Sequence, residues 1–268
     1  MKHTKHITFV LLGLFLLTQV IGLGVIQSFG APTETGEVSW DTLPYELERP
    51  VWDEETSFIP LIGMVIGVTL VVLLIIMLHW SWVWNIWFFL SVLLCTAITL
   101  TTVMTANLAA FVGALLGYSK VWGKHFWQKN LPELFMYGGL AAVFVPVISL
   151  NSIIIFLIVI SLYDIVAVNK TKHMVHIAES KLLQQAFPGL FLTYGKKQAV
   201  LGGGDMGLPL LFTGIMLKTF GGIAWIVPLL TTGALAILLI KSEKNRFYPA
   251  MPVLTIGCLV SYILVLLL

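Results

Sequence analysis

Two aspartates of this 268-residue chain stand where a carboxylate is costly. Of the 13 acidic residues, Asp41, Asp53 and six glutamates fall between Gly30 and Ser57. Glu179 and Glu243 lie in polar connections, and Glu133 stands at the start of an apolar run. Only Asp164 and Asp205 sit inside runs apolar enough to cross a bilayer. An ionisable group at membrane depth is expensive and marks function. Asp164 lies six residues before Lys170, and Asp205 eight after Lys197. At about 1.5 Å per helical residue, both are expected roughly 9 to 12 Å from the same boundary. The two runs are consecutive and antiparallel, an order that usually makes neighbours, so the carboxylates can face each other.

Two acids held close in a poorly solvated site share one proton. Such a pair can open a peptide bond: one carboxylate takes a proton from an attacking water while its protonated partner polarises the carbonyl. The neighbouring residues suit a peptide. Gly202, Gly203 and Gly204 present no side chain to an approaching backbone, and Pro209 cannot donate a hydrogen bond to the carbonyl of Asp205, four residues back. A proton- or cation-coupled transporter or channel is the alternative use of the same two aspartates.

The elements that must position these residues follow from composition. Hydrophobic residues make up 58% of the chain and charged ones 10%, with a mean hydropathy of +0.96. A soluble domain carries about a quarter charged residues, so this is an all-α polytopic membrane protein. The net charge of +2 gives no reason to expect nucleic acid. Cys95 and Cys258 lie in apolar runs without metal-ligand spacing and are expected as free thiols.

About nine spans are expected. Residues 7–29 make the first, longer than the apolar core of a cleaved leader. Gly30 to Ser57 is an acidic outer loop with Arg49 as its single base, and its Trp40, Tyr45 and Trp52 either rest at the headgroups or close a small cap. Phe58–Leu78 is the second span. His79, Trp80, Trp82, Trp84 and Trp87 form an aromatic belt. Residues 85–118 supply two short spans with a turn in the Thr101–Asn107 region, because Lys120, Lys124 and Lys129 belong on the inner side. Leu131–Leu150, kinked by Pro146, and Ser152–Val168 follow. Residues 170–198 form a cytoplasmic loop marked by Lys170, Lys172, Lys181, Lys196 and Lys197, with Val175, Ala178, Leu182, Leu183 and Phe187 at the spacing of a membrane-surface helix. Its His173 and His176 lack the pattern of a metal site. Ala199–Leu217, Gly222–Ile240 and a last run from Tyr248 to Leu268 complete the count. The expected division is therefore residues 1–169 with six spans, the loop 170–198, and residues 199–268 with three. The amino terminus is placed inside and the carboxyl terminus outside, and every basic cluster except Lys218 then falls on the inner side. Gly63-x-x-x-Gly67 and Gly113-x-x-x-Gly117 are expected to let helices pack closely. There is no internal repeat.

Three motifs in this order resemble the intramembrane aspartyl proteases that include presenilin and signal peptide peptidase. That family carries Tyr-Asp in its sixth span, Gly-x-Gly-Asp in its seventh and Pro-Ala-Leu in its ninth. Here Tyr163-Asp164, Gly202-Gly203-Gly204-Asp205 and Pro249-Ala250-Met251 are similar. Met251 stands for the family's leucine, an apolar residue of similar size, and Pro252 follows. The resemblance implies a presenilin-like fold and orientation, and single-span helical membrane proteins as substrates. It also implies that Asp164 and Asp205 are catalytic, and that Tyr163, the three glycines, Pro249, Ala250 and Met251 border the substrate. It implies neither metal nor organic cofactor. The connection between the catalytic spans lacks the long insertion of animal presenilins, which resembles a compact archaeal homologue in a microbial cell membrane. Self-association stays open.

Overall fold

A computed structural model describes residues 5–32, 38–167, 187–194, 197–242 and 248–268. Among these residues the chain forms nine α-helical segments: α1 (Lys5–Phe29), α2 (Phe58–Met77), α3 (Ser81–Leu100), α4 (Ala106–Trp122), α5 (Phe126–Phe144), α6 (Leu150–Val166), α7 (Gly203–Phe220), α8 (Ile226–Lys241) and α9 (Met251–Leu267). A 3-10 turn at Gly221–Trp225 joins α7 to α8 so closely that the two make one apolar stretch. Counted that way, five stretches are long and apolar enough to cross a membrane, and α6 and α9 are shorter apolar helices. A helix satisfies its backbone groups internally, as lipid requires. Several hydroxyls inside these runs are satisfied locally too: Thr18, Thr69, Thr96, Thr213 and Thr231 each donate to the carbonyl four residues back.

The boundaries differ from expectation in instructive places. The turn between α3 and α4 falls at residues 101–105, within the expected region. In contrast, α5 begins at Phe126 rather than Leu131, because the Gln128 side chain accepts the free N–H groups of Lys124 and His125 at 3.0 Å each. It ends at Phe144, and Pro146 lies in a 3-10 turn (Val145–Val147) instead of kinking the helix. Ser149 caps α6 by accepting the Ser152 N–H at 3.2 Å. Two antiparallel hairpins depart from an all-helical chain: β1 (Gly30–Pro32) with β2 (Val38–Trp40), and β3 (Gly189–Tyr194) with β4 (Lys197–Gly202). The surface helix expected near Val175 to Phe187, and the two histidines within it, fall almost wholly on residues outside those described. Both cysteines are free.

α1 lies at the centre, packed against α5, α7 and α8, with Phe15 and Leu23 fully buried. α3 sits against both α4 and α5. Gly113 and Gly117 make the first contact possible, since a Cβ there would come within 3.0 Å of the Leu93 carbonyl and 3.2 Å of Phe89. Gly139 makes the second, with the Cys95 carbonyl 2.0 Å from where its Cβ would be. The matching expectation for Gly63 and Gly67 fails: nothing lies within 4 Å of either position. Trp84 is also core rather than belt, being buried and stacked on Phe88 at 5.9 Å.

The acidic segment closes one end of the bundle. Trp52 packs on Phe144 at 5.8 Å. The Tyr45 hydroxyl donates to the Ala106 carbonyl at the start of α4, and Arg49 Nε to the Ala142 carbonyl near the end of α5. Ser152 of α6 donates to the carbonyls of Glu54 and Glu55. Lys218, the basic residue out of place in the charge pattern, lies at the end of α7 and meets Glu54 Oε2 at 2.9 Å and the Pro146 carbonyl at 3.0 Å. The end of α6 and the starts of α7 and α9 therefore gather at the opposite end of the bundle.

Candidate active site

Asp164 is the third residue from the end of α6, and Asp205 is the third residue of α7. Neither lies deep in a helix as the spacing from flanking lysines suggests. Residues 199–202 are extended strand rather than helix, so a rise per residue counted from Lys197 does not apply. Glycine is a poor helix former and Gly202 keeps extended dihedrals (φ −65°, ψ 152°) as the N-cap of α7, which starts the helix at Gly203.

The Asp205 side chain reaches back to accept the backbone N–H of Gly202, as an acidic third residue commonly does at a helix start. The N–H of Gly203 donates to the Pro188 carbonyl at 3.0 Å, which continues the β3–β4 ladder one residue into α7. Strand and helix are thus locked at the glycines. Pro209 lies within α7 without ending it.

Asp164 is held from the third motif. Its Oδ2 accepts the Met251 N–H at 3.2 Å, and the carboxylate also accepts the N–H of Ala250. Ala250 is the N-cap of α9, whose first N–H groups have no partner within the helix. Pro252 costs nothing there, because its missing N–H would be one of those unpartnered groups. One turn deeper, the hydroxyls of Ser161 and Thr255 meet at 2.7 Å and hold α6 to α9.

α6 and α7 pack against each other, and Asp164 is near enough for its charge to act on Asp205. Each is met by a helix N-terminus, Asp205 by that of α7 and Asp164 by that of α9. The positive ends of two helix dipoles therefore converge on the pair and offset part of the cost of negative charge in apolar surroundings. Tyr163, Gly202, Gly203, Pro249 and Ala250 are half-buried, Gly204 is exposed with nothing within 4 Å of its Cβ position, and Met251 is buried.

Behind Asp205 lies a buried polar cluster that the charge pattern did not suggest. Lys120 of α4 and Glu133 of α5, 3% and 0% exposed, form an ion pair of 2.5 Å. Lys120 Nζ also donates to the carbonyls of Lys129 and Gly189, at 2.9 and 3.0 Å. The Tyr137 hydroxyl donates to Glu133 Oε2. Asn130 joins β3 like an extra strand residue, accepting the Phe191 N–H at 2.7 Å and donating to its carbonyl at 2.9 Å. Asn130, Glu133 and Tyr137 recur at the three- and four-residue spacing of one helix face, which is the signal that would have found them. Lys120 reads as a surface marker in the sequence because its burial depends on a hairpin 69 residues away.

A family model described as signal-peptide peptidase, presenilin aspartyl protease matches residues 61–198 of the chain. Two solved structures of a presenilin family intramembrane aspartate protease are similar in fold. The form in space group C222 superposes with a TM-score of 0.64 at 17% identity, covering 96% of this chain and 99% of the other. The form in space group P2 gives 0.67 at 15% identity, covering 96% of each. No curated protein sequence matches the chain.

Proposed function

The chain belongs to the signal-peptide peptidase and presenilin aspartyl protease family and is an integral membrane protein and intramembrane aspartyl protease, and from that premise we propose that Asp164 and Asp205 are its catalytic pair. What supports this reading is that the two aspartates stand on packed helices, α6 and α7, within electrostatic range of each other and each under a helix N-terminus.

The pair holds one proton. The ionised carboxylate takes a proton from a water as its oxygen bonds to the scissile carbonyl carbon, while the protonated carboxyl gives its proton to the carbonyl oxygen. The tetrahedral diol then collapses. The C–N bond breaks as the leaving nitrogen takes the pair's proton and one diol hydroxyl gives its proton to the other carboxylate, and a carboxyl and an amine terminus separate. The pair is left with one proton, as it began.

The substrates in this reading are single-span helical membrane proteins. Tyr163, Gly202, Gly203, Gly204, Pro249, Ala250 and Met251 border them, and the exposed, side-chain-free face at Gly204 supports close approach of a backbone. The chain crosses the membrane about nine times, six in residues 1–169 and three in 199–268 around the loop 170–198. The acidic segment lies outside, the amino terminus in the cytoplasm and the carboxyl terminus beyond the membrane, here the cell membrane of a microbe. The meeting of Lys218 with Glu54 supports this sidedness, since it pairs an outer-side lysine with the acidic segment.

Purified protein in lipid, incubated with a transmembrane peptide and followed by mass spectrometry, is expected to cut it. Asp164→Asn and Asp205→Asn each abolish cleavage while the thermal midpoint stays at the wild-type value. Full activity in either variant removes the pair. Orientation is read separately: a membrane-impermeant maleimide is expected to label Asp53→Cys in intact cells and Lys241→Cys only after permeabilisation.

A further inference from the structure

We propose that Tyr137 is a positioning residue for Asp205, held in place by the Glu133–Lys120 pair. The inference rests on the reading of Asp205 as a catalytic acid. Tyr137 is 4% exposed and lies along the first turn of α7: a Cβ at Gly203 would fall 2.7 Å from its hydroxyl oxygen, and one at Gly207 3.1 Å from its ring. Gly203 and Gly207 are four residues apart and share a face of α7, with Asp205 between them in sequence. The ring therefore fixes how close the first turn of α7 can come to α5. The Asp205 carboxylate is near enough to act electrostatically on the phenol.

The place of the ring is fixed in turn from behind. A tyrosine hydroxyl has one proton to donate, and Glu133 takes it. The second Glu133 oxygen faces the Lys120 ammonium across the ion pair, and Lys120 is tied in turn to the Lys129 and Gly189 carbonyls by hydrogen bonds. Gly189 is the register partner of Gly202, the residue whose N–H holds Asp205. Asp205 is thus bracketed on two sides by one cluster: through Tyr137 against Gly203 and Gly207, and through Lys120 against the strand pair that ends at Gly202. A buried ion pair is weak evidence for stability, because desolvation of two charges offsets their attraction. Fixing a geometry is a role in which that cost has a counterpart.

The test separates positioning from mere stability. The measurement is kcat and KM for a transmembrane peptide in lipid, counted per protein able to bind an uncleavable helical peptide, so that misfolded material does not enter. Tyr137→Phe keeps the ring and removes the hydroxyl, and is expected to lower kcat about tenfold with KM within about twofold, since small displacements of a reacting group are costly. Two double variants remove both buried charges. Lys120→Met with Glu133→Leu leaves Tyr137 without an acceptor and is expected to lose kcat as Tyr137→Phe does. Lys120→Met with Glu133→Gln restores the acceptor and is expected to recover at least fivefold of that loss. Equal kcat in the two double variants overturns the positioning role. So does a Tyr137→Phe protein with wild-type kcat alongside an inactive Asp205→Asn. An active Asp205→Asn overturns the catalytic reading and this inference with it.

Discussion

At the scale of single residues, the three glycines before Asp205 look alike in sequence and stand in three different environments. A Cβ at Gly202 would lie 3.2 Å from Asp205 Oδ2, one at Gly203 would meet Tyr137, and one at Gly204 would meet nothing. Gly202→Ala is therefore expected to displace the carboxylate and lower kcat about tenfold or more. Gly204→Ala is expected to fold as well as wild type and raise KM by about threefold or more, the signature of lost ground-state binding. Steady-state kinetics on the two variants check both. Asp164 and Asp205 stood out in the sequence because carboxylates are rare in apolar runs. The structure adds that the part of Pro-Ala-Met touching Asp164 is main chain, the N–H groups of Ala250 and Met251. The departure at Met251 from the family's leucine therefore leaves that contact intact. The spacing of Glu133 and Tyr137 puts them on one face of α5, but that this face backs Asp205 was not legible until α7 is laid across it.

At the scale of elements, apolar runs with basic ends located most of the helices, whereas the seventh began four residues later than hydropathy placed it. Ala199–Gly202 is apolar, and hydropathy alone does not separate a strand from a helix over so short a run. Helix contacts were legible in the same partial way. Gly113 and Gly117 close the α3–α4 contact, while the identical spacing at Gly63 and Gly67 faces open space on α2, a helix packed mainly against α3 and α6. Gly139, which belongs to no such motif, makes a tighter backbone approach than Gly113 or Gly117. Gly139→Ala is accordingly expected to destabilise the protein by about 1–3 kcal/mol or more, since the clash is with backbone. Gly63→Ala is expected to be neutral or to stabilise by up to about 1 kcal/mol through helix propensity. Thermal midpoints in one detergent distinguish the two.

At the scale of the whole molecule, charge distribution separated the two ends of the bundle before any fold was known. The acidic segment from Gly30 to Ser57 reads as one polar block in sequence. Its role as a clasp did not show, because its contacts with Ala106, Ala142, Ser152 and Lys218 are long-range and mostly made with backbone carbonyls. Such a clasp acts as a pivot. Helices pinned together at one end and splayed by a small rotation part furthest at the other, so a tilt of a few degrees at the acidic end becomes a gap of ångströms beside Asp164 and Asp205. Amides near Ala142–Val145 and Ser152–Ile154 are thus expected to exchange hydrogen slowest, and those at Gly202–Asp205 and Ala250–Met251 faster, in exchange measured by mass spectrometry. On such a lever the protease is expected to open beside its aspartates without any catalytic helix having to unfold, the hinge lying a full helix length from the blades.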